Sequence, residues 1–141
     1  MSNSTATQIG DALTAVLQTI DSTLRIYRHP PDQLSELPCI LVYARRGRLD
    51  QDHGGARNFH EWNVDFLSNR QSAQEAATTM EPYIDLVQKA LWSDFTLGGI
   101  TDHIGAQEQS ITYELVAYEY AGKPVFGYRF IVPTKSHRMF A

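Results

Sequence analysis

The sequence predicts one α+β domain: an antiparallel or mixed sheet of about five strands with two main helices packed on one face, in the order α-β-β-β-α-β-β. Three observations predict it. Two segments, one near the start and one in the middle, repeat apolar residues at helical spacing. Five segments carry strand-like alternation or short β-rich apolar runs. The strand-like segments sit next to one another instead of alternating with helices, which favours hairpins over parallel βαβ units.

The first helix is expected over residues 5–20. Ile9, Leu13, Val16, Leu17 and Ile20 fall on one face, and Thr7, Gln8, Asp11, Thr14 and Gln18 fill the other. Residues 24–28 alternate apolar and basic side chains and read as a short strand, ended by His29-Pro30-Pro31 because proline cannot donate to a ladder. After Leu37-Pro38, residues 39–44 are almost wholly apolar, as in a strand beneath a helix or covered on both faces. Residues 45–57 are charged and contain Gly54-Gly55, so they read as a long, mobile hairpin loop. In residues 58–67, Trp62, Val64 and Phe66 alternate with Glu61, Asn63 and Asp65, the pattern of a half-buried antiparallel strand.

Ser72-Ala73-Gln74-Glu75 has the form of a capping box. Behind it Ala73, Ala77, Met80, Ile84, Val87 and Leu91 mark a second amphipathic helix, which Pro82 should kink or split. Gly98-Gly99 breaks the chain, and residues 100–109 carry no clear pattern. Residues 110–120 alternate, with Ile111, Tyr113, Leu115 and Ala117 on one face and a mixed face of Thr112, Glu114, Val116 and Tyr118. A turn at Ala121-Gly122-Lys123 leads into residues 125–132, where Phe126, Tyr128, Phe130 and Val132 share a face, so the two segments form a hairpin. The ordered core is expected at about residues 5–133, with flexible termini and a tail leaving the domain.

Bulk composition bounds the function. A length of 141 residues fits one domain that can bury a core without disulfides or metal. Twelve Lys+Arg against sixteen Asp+Glu, a net charge of -4, argue against a general nucleic-acid binder while allowing a local basic patch. The single cysteine, Cys39, lies in an apolar run and reads as a buried, inert thiol that suits a reducing cytoplasm. The N-terminal residues lack a signal-peptide pattern, and no apolar run reaches spanning length, so the expectation is a soluble chain with no membrane partner.

Few residues suggest chemistry. Asp50, Asp52 and His53 offer possible metal ligands, but the bidentate Glu position of a calcium loop is missing. Asp102-His103 could poise a general base, yet no nucleophile motif accompanies it. The glycine pairs do not follow a phosphate-binding pattern. The expectation is therefore no enzyme, no cofactor and no metal. Arg45, Arg46 and Arg48, with Arg57 across the hairpin and Asp50 and Asp52 at its tip, read in two ways. They form a charged loop that keeps an edge soluble, or an interface or lumen loop that meets an acidic partner or passing DNA. Tyr118 and Tyr120 lie on the mixed face, where amphipathic tyrosines mark candidate interfaces.

Several quoted stretches follow in a familiar order: the leading amphipathic helix, the Pro-bounded strand Leu37-Pro38-Cys39-Ile40-Leu41-Val42-Tyr43, the polar hairpin, and the strand Trp62-Asn63-Val64-Asp65-Phe66. An alanine-bearing helix and a closing hairpin, built from residues 113–120 and 126–132, complete the order. From about residue 9 to residue 133 this resembles the tail-terminator and minor tail proteins of long-tailed bacteriophages, and the related tail-completion or neck proteins. The resemblance implies a virion structural protein of the tail or neck region, assembled in the host cytoplasm. It implies a homo-oligomeric ring, a hexamer in that family, that caps the tail tube, ends its polymerisation and offers the head-joining surface. The implied partners are the tail tube protein and a head-completion or connector protein, with DNA met only in passage through the lumen. Three alternatives stand beside it: a head–tail connector or neck protein, a small enzyme or ligand-binding domain with an unrecognised site, and a host-encoded adaptor of the same architecture.

Overall fold

In the computed structural model the described residues are 4–32, 36–69, 72–104, 110–120 and 122–139. Helix α1 (Ala6–Gln18) starts at a reciprocal cap: Thr5 Oγ1 accepts from Gln8 N–H at 3.1 Å, and Gln8 Oε1 accepts from Thr5 N–H at 2.8 Å. Ile9, Leu13 and Leu17 are fully buried, as the spacing predicts. Gly10 lets the helix come down onto the sheet, because a Cβ there would lie 2.9 Å from the Trp62 ring.

Strand β1 (Arg25–Tyr27) runs parallel to the start of β2 (Cys39–Asp52). Strand β2 then pairs antiparallel with β3 (Gly55–Leu67) along its whole length, from Cys39 opposite Leu67 to Asp52 opposite Gly55, with a bulge between Ala44 and Arg46. Helix α2 (Ala73–Met80) and α3 (Pro82–Ser93) follow. Ser72 Oγ accepts from Glu75 N–H at 3.2 Å to cap α2. The middle helix is split at Pro82, which takes the first turn of α3, where a missing N–H costs nothing. A two-residue strand β4 (His103–Ile104), then β5 (Thr112–Tyr120) and β6 (Lys123–Arg138), complete the chain.

Among the described residues the sheet is mixed and six-stranded, in the order β1-β2-β3-β6, with β4 and β5 both on the outer side of β6. Strand β5 pairs with residues 123–131 of β6 and β4 with Thr134 and Lys135. The α+β class and the one-sided helix layer are as predicted.

The helix-facing core gathers Ile9, Leu13, Leu17, Ile40, Val42, Trp62, Val64, Phe66, Met80, Val87, Leu91, Phe130 and Val132. Phe66 meets Tyr83 of α3 and Phe130 of β6, with centroids 5.0 and 5.6 Å apart. Trp62 Nε1–H donates to Thr134 Oγ1 at 3.1 Å, so the buried indole keeps a partner. Tyr83 O–H donates to Asp21 at 2.7 Å and ties α3 to the turn after α1. A smaller cluster on the other face holds Cys39, Leu41, Leu67 and Val125, edged by Tyr27, Leu37, Tyr43 and Tyr118.

Three expectations are corrected. The first concerns residues 45–57, which form no loop: they are the paired distal arm of β2 and β3, closed by a two-residue turn at His53-Gly54. Backbone ladders need no apolar side chains, and here β6 pairs with β3 as far as Ala56, so the arm is a sheet three strands wide. The second is the tail, which does not leave the domain at residue 133, since β6 runs on to Arg138. Pro133 is tolerated because it falls between the span of β5, which ends opposite Ile131, and that of β4, which begins opposite Thr134. The third is the alternation in β5, which would place its apolar face inward, yet that face is the more open one: Tyr113 and Leu115 are 55% and 47% exposed, because they lie on the sheet's outermost strand.

Cys39 is buried as expected, and burial together with the nearby Asp65 charge pushes its thiol up to about 12. The folded protein should therefore resist a disulfide-exchange reagent at mildly alkaline pH and react stoichiometrically once denatured. Rapid labelling of the native chain would show that the β1–β2 edge opens.

Candidate assembly surfaces

The bulge at Ala44/Arg46 changes which side chains of β2 face away from the helices. Beyond it, Arg46 stands opposite Glu61, Arg48 opposite Phe59 and Asp50 opposite Arg57. Lys135 of β6 completes the Phe59 row. The helix-free face of the arm thus carries Arg46, Arg48, Arg57 and Lys135 against Glu61 and Asp50. Arg46 Nε–H donates to Glu61 at 2.8 Å, Arg45 lies 3.8 Å from the same carboxylate, and Arg48 pairs with Asp50 at 2.9 Å. Arg48 and Lys135 both lie over the Phe59 ring, 4.5 and 5.9 Å from its centroid. These pairs are solvated and individually weak, but they order the arginines as a platform. Of the predicted loop residues, Arg45, Arg46, Arg48, Asp50 and Arg57 are therefore brought together. Asp52 pairs with Gly55 through its backbone, and its side chain lies outside the described residues.

Nearer the middle of the same face is a cluster the sequence reading missed. The alternation of its strand places Asp65 on the polar, outward side; in the structure it is fully buried. Arg129, directly opposite on β6, donates through Nε–H to Asp65 Oδ1 at 3.0 Å. Tyr118 O–H and Tyr43 O–H donate to Oδ2 at 2.7 and 3.2 Å, and Asn63 Nδ2 donates to the Tyr43 hydroxyl at 3.1 Å. Burial pushes the Asp65 carboxyl up, with the Arg129 pair and the tyrosine hydrogen bond pulling the other way. Tyr118, a candidate interface residue, is half-buried and also clamps this cluster: its ring packs under the Arg129 guanidinium, 5.1 Å away. Tyr120 stands opposite Lys123 at the hairpin end, and its side chain lies outside the described residues.

Of the pair Asp102-His103, the His103 side chain lies outside the described residues, and Asp102 is held by the last strand. Its carboxylate sits against Nδ1 of His137, and its N–H donates to Lys135 O at 2.8 Å, so it binds the last strand to the body. Among the described residues no group of three or more His, Cys, Asp or Glu lies within metal-binding reach. No helix is long and apolar enough to cross a membrane. An open groove of about 390 Å³ lies between the end of α1 and α3, lined by Val16, Ile20, Leu86 and Lys89 among others. Trp92 and Phe95, at and just beyond the end of α3, are 81% and 55% exposed.

Two long strand edges are open. Among the described residues, β5 pairs only with β6, and β2 has no outer partner beyond Leu41. Arg28 Nη1–H covers the Val42 carbonyl at 2.8 Å, so the open stretch of β2 starts at Tyr43. Such edges are templates for pairing unless something covers them. No family model matches the chain, and no curated protein matches it.

Proposed function

We propose that this chain is a structural protein of a long-tailed phage or prophage, forming a ring that caps the tail tube, stops its growth and gives the head a surface to join. The observation that carries this reading is the helix-free face of the β2–β3 arm. It is a paired, three-stranded platform bearing Arg46, Arg48, Arg57 and Lys135 on a net acidic chain. A ring with its helices outward turns that face to the lumen, where spaced cations meet passing DNA weakly and reversibly. Two open edges on opposite sides of one sheet suit head-to-tail assembly, which closes into rings. Exposed Trp92 and Phe95 offer aromatic anchors for a tube or connector protein.

The test is deletion of the gene in its phage or prophage, followed by electron microscopy of induced particles. Over-long, headless tails are the expected result, because an uncapped tube keeps adding subunits. Normal-length tails detached from full heads would move the role to head–tail joining. Normal infectious virions would sink the structural reading.

A further inference from the structure

The open edges are complementary to each other, which says how copies meet. On the helix-free face, the β2 edge shows Arg46 and Arg48, with Asp50 beyond them toward the turn, whereas β5 shows Glu114, which stands opposite Arg129 on that face. On the helix-side face, the β2 edge shows Leu49, 66% exposed, and β5 shows Tyr113 and Leu115. Among the described residues, three of the seven large exposed apolar side chains thus lie on these two edges. Residues 43–49 carry three arginines and no acid; β5 carries Glu114 and Glu119 and no base. Charge therefore meets opposite charge on one face while apolar meets apolar on the other, as cross-strand pairs require.

We propose that the occupant of each edge is a second copy of this chain, the β2 arm of one copy pairing antiparallel with β5 of the next to continue one sheet through the assembly. This rests on the ring reading above. The antiparallel sense follows from the fold: β2, β3, β6 and β5 alternate in direction, so a neighbour in the same orientation presents β2 antiparallel to β5. One register, Arg48 opposite Glu114, also sets Leu49 opposite Tyr113.

The stagger is what a closed sheet needs. Glu114 is level with Leu41 across the ladder, through Arg129 and Asp65. Arg48 lies six ladder steps beyond Leu41, the bulged residue skipped, or about 20 Å at ~3.3 Å per step. Four interstrand spacings, one of them the junction, advance about 19 Å per copy. The strands then tilt by about 45° to the ring axis, close to the tilt of closed sheets.

The experiment uses the full chain, with sedimentation velocity and circular dichroism on the same samples. Arg48→Glu and Glu114→Arg are each expected to weaken association on the order of tenfold per junction without loss of folded signal, and combining them is expected to restore it. A Leu49→Cys/Tyr113→Cys variant, oxidised, should give a covalent ladder of copies, whereas each single variant stops at dimers. Buried Cys39 stays out of this reaction. If the wild type forms a closed oligomer that both charge variants leave intact and no ladder appears, the edge junction is overturned and the ring reading survives. If the wild type stays monomeric at high concentration and the double-cysteine chain gives no ladder, both fall.

Discussion

Replacing Arg129 with methionine is expected to destabilise the chain by about 3–5 kcal/mol, because it leaves a buried carboxylate without its cation. Asp65 has no exposed surface, and Arg129 is the cation hydrogen-bonded to it. The two tyrosine hydroxyls remain but supply no charge. Arg129 itself is still one-fifth exposed, which places the loss toward the lower end of that range. The pH dependence carries the diagnosis. Asp65 is already raised above its unfolded value, so between the two values the folded state holds the extra proton. Stability there falls as pH rises through the folded value. Removing Arg129 takes away the hydrogen bond and the attraction that hold the carboxyl down, so this window extends upward. The variant should therefore sit closest to wild type in acid and furthest from it at neutral and mildly alkaline pH, as read from urea melts at both. Adding Asp65→Asn should recover most of the loss and flatten the pH dependence. A loss below about 1 kcal/mol at neutral pH would mean that the pair behaves like a solvated surface bridge.

That cluster marks the limit of what the sequence makes legible. The helices are readable because a 3.6-residue period is a local property: Ile9, Leu13 and Leu17 bury as spaced, and Pro82 divides α2 from α3. The strand Trp62-Asn63-Val64-Asp65-Phe66 is readable as a strand, but the fate of its polar side is not. Asn63 and Asp65 are buried because Tyr43, Tyr118 and Arg129 arrive from three other strands, 20 to 64 residues away in sequence. Register decides this, and no local pattern reports register across a sheet. The arm fails for the opposite reason. Its residues look like loop because ladder hydrogen bonds do not depend on side-chain polarity, and a bulge shifts its alternation by one. The arginines were singled out from composition alone. Their shared face with Lys135 follows only from the bulge and from a β6 that continues past Pro133.

The same register makes Gly127→Ala a severe substitution, with an expected loss of about 3 kcal/mol, the upper part of the range for overpacking. Gly127 stands between Leu67 of β3 and Val116 of β5, in the row that runs on to Cys39. A Cβ there would overlap the Phe66 carbonyl oxygen and lie 2.8 Å from its carbon and 2.9 Å from Leu67 Cα. These are backbone atoms, which cannot rotate aside, so β3 and β6 would have to part. The parting would strain the Ser68 N–H to Phe126 carbonyl bond (2.8 Å) and loosen the Cys39, Leu41, Leu67 and Val125 cluster. Gly122 supplies the control: its φ of +77° disfavours a side chain, yet among the described residues nothing lies within 4 Å. Gly122→Ala should cost only about 1 kcal/mol. Equal losses at the two sites in parallel urea melts would refute the close approach of β3 and β6. The expected ordering has a consequence for assembly, because β5 is held to the sheet only through β6 among the described residues. Shifting β6 moves the edge that carries Glu114 and Tyr113 against the rigid β2 arm. If copies meet through the proposed β2–β5 junction, Gly127→Ala should then lose association even in cold, low-urea conditions where it remains folded, while Gly122→Ala keeps it.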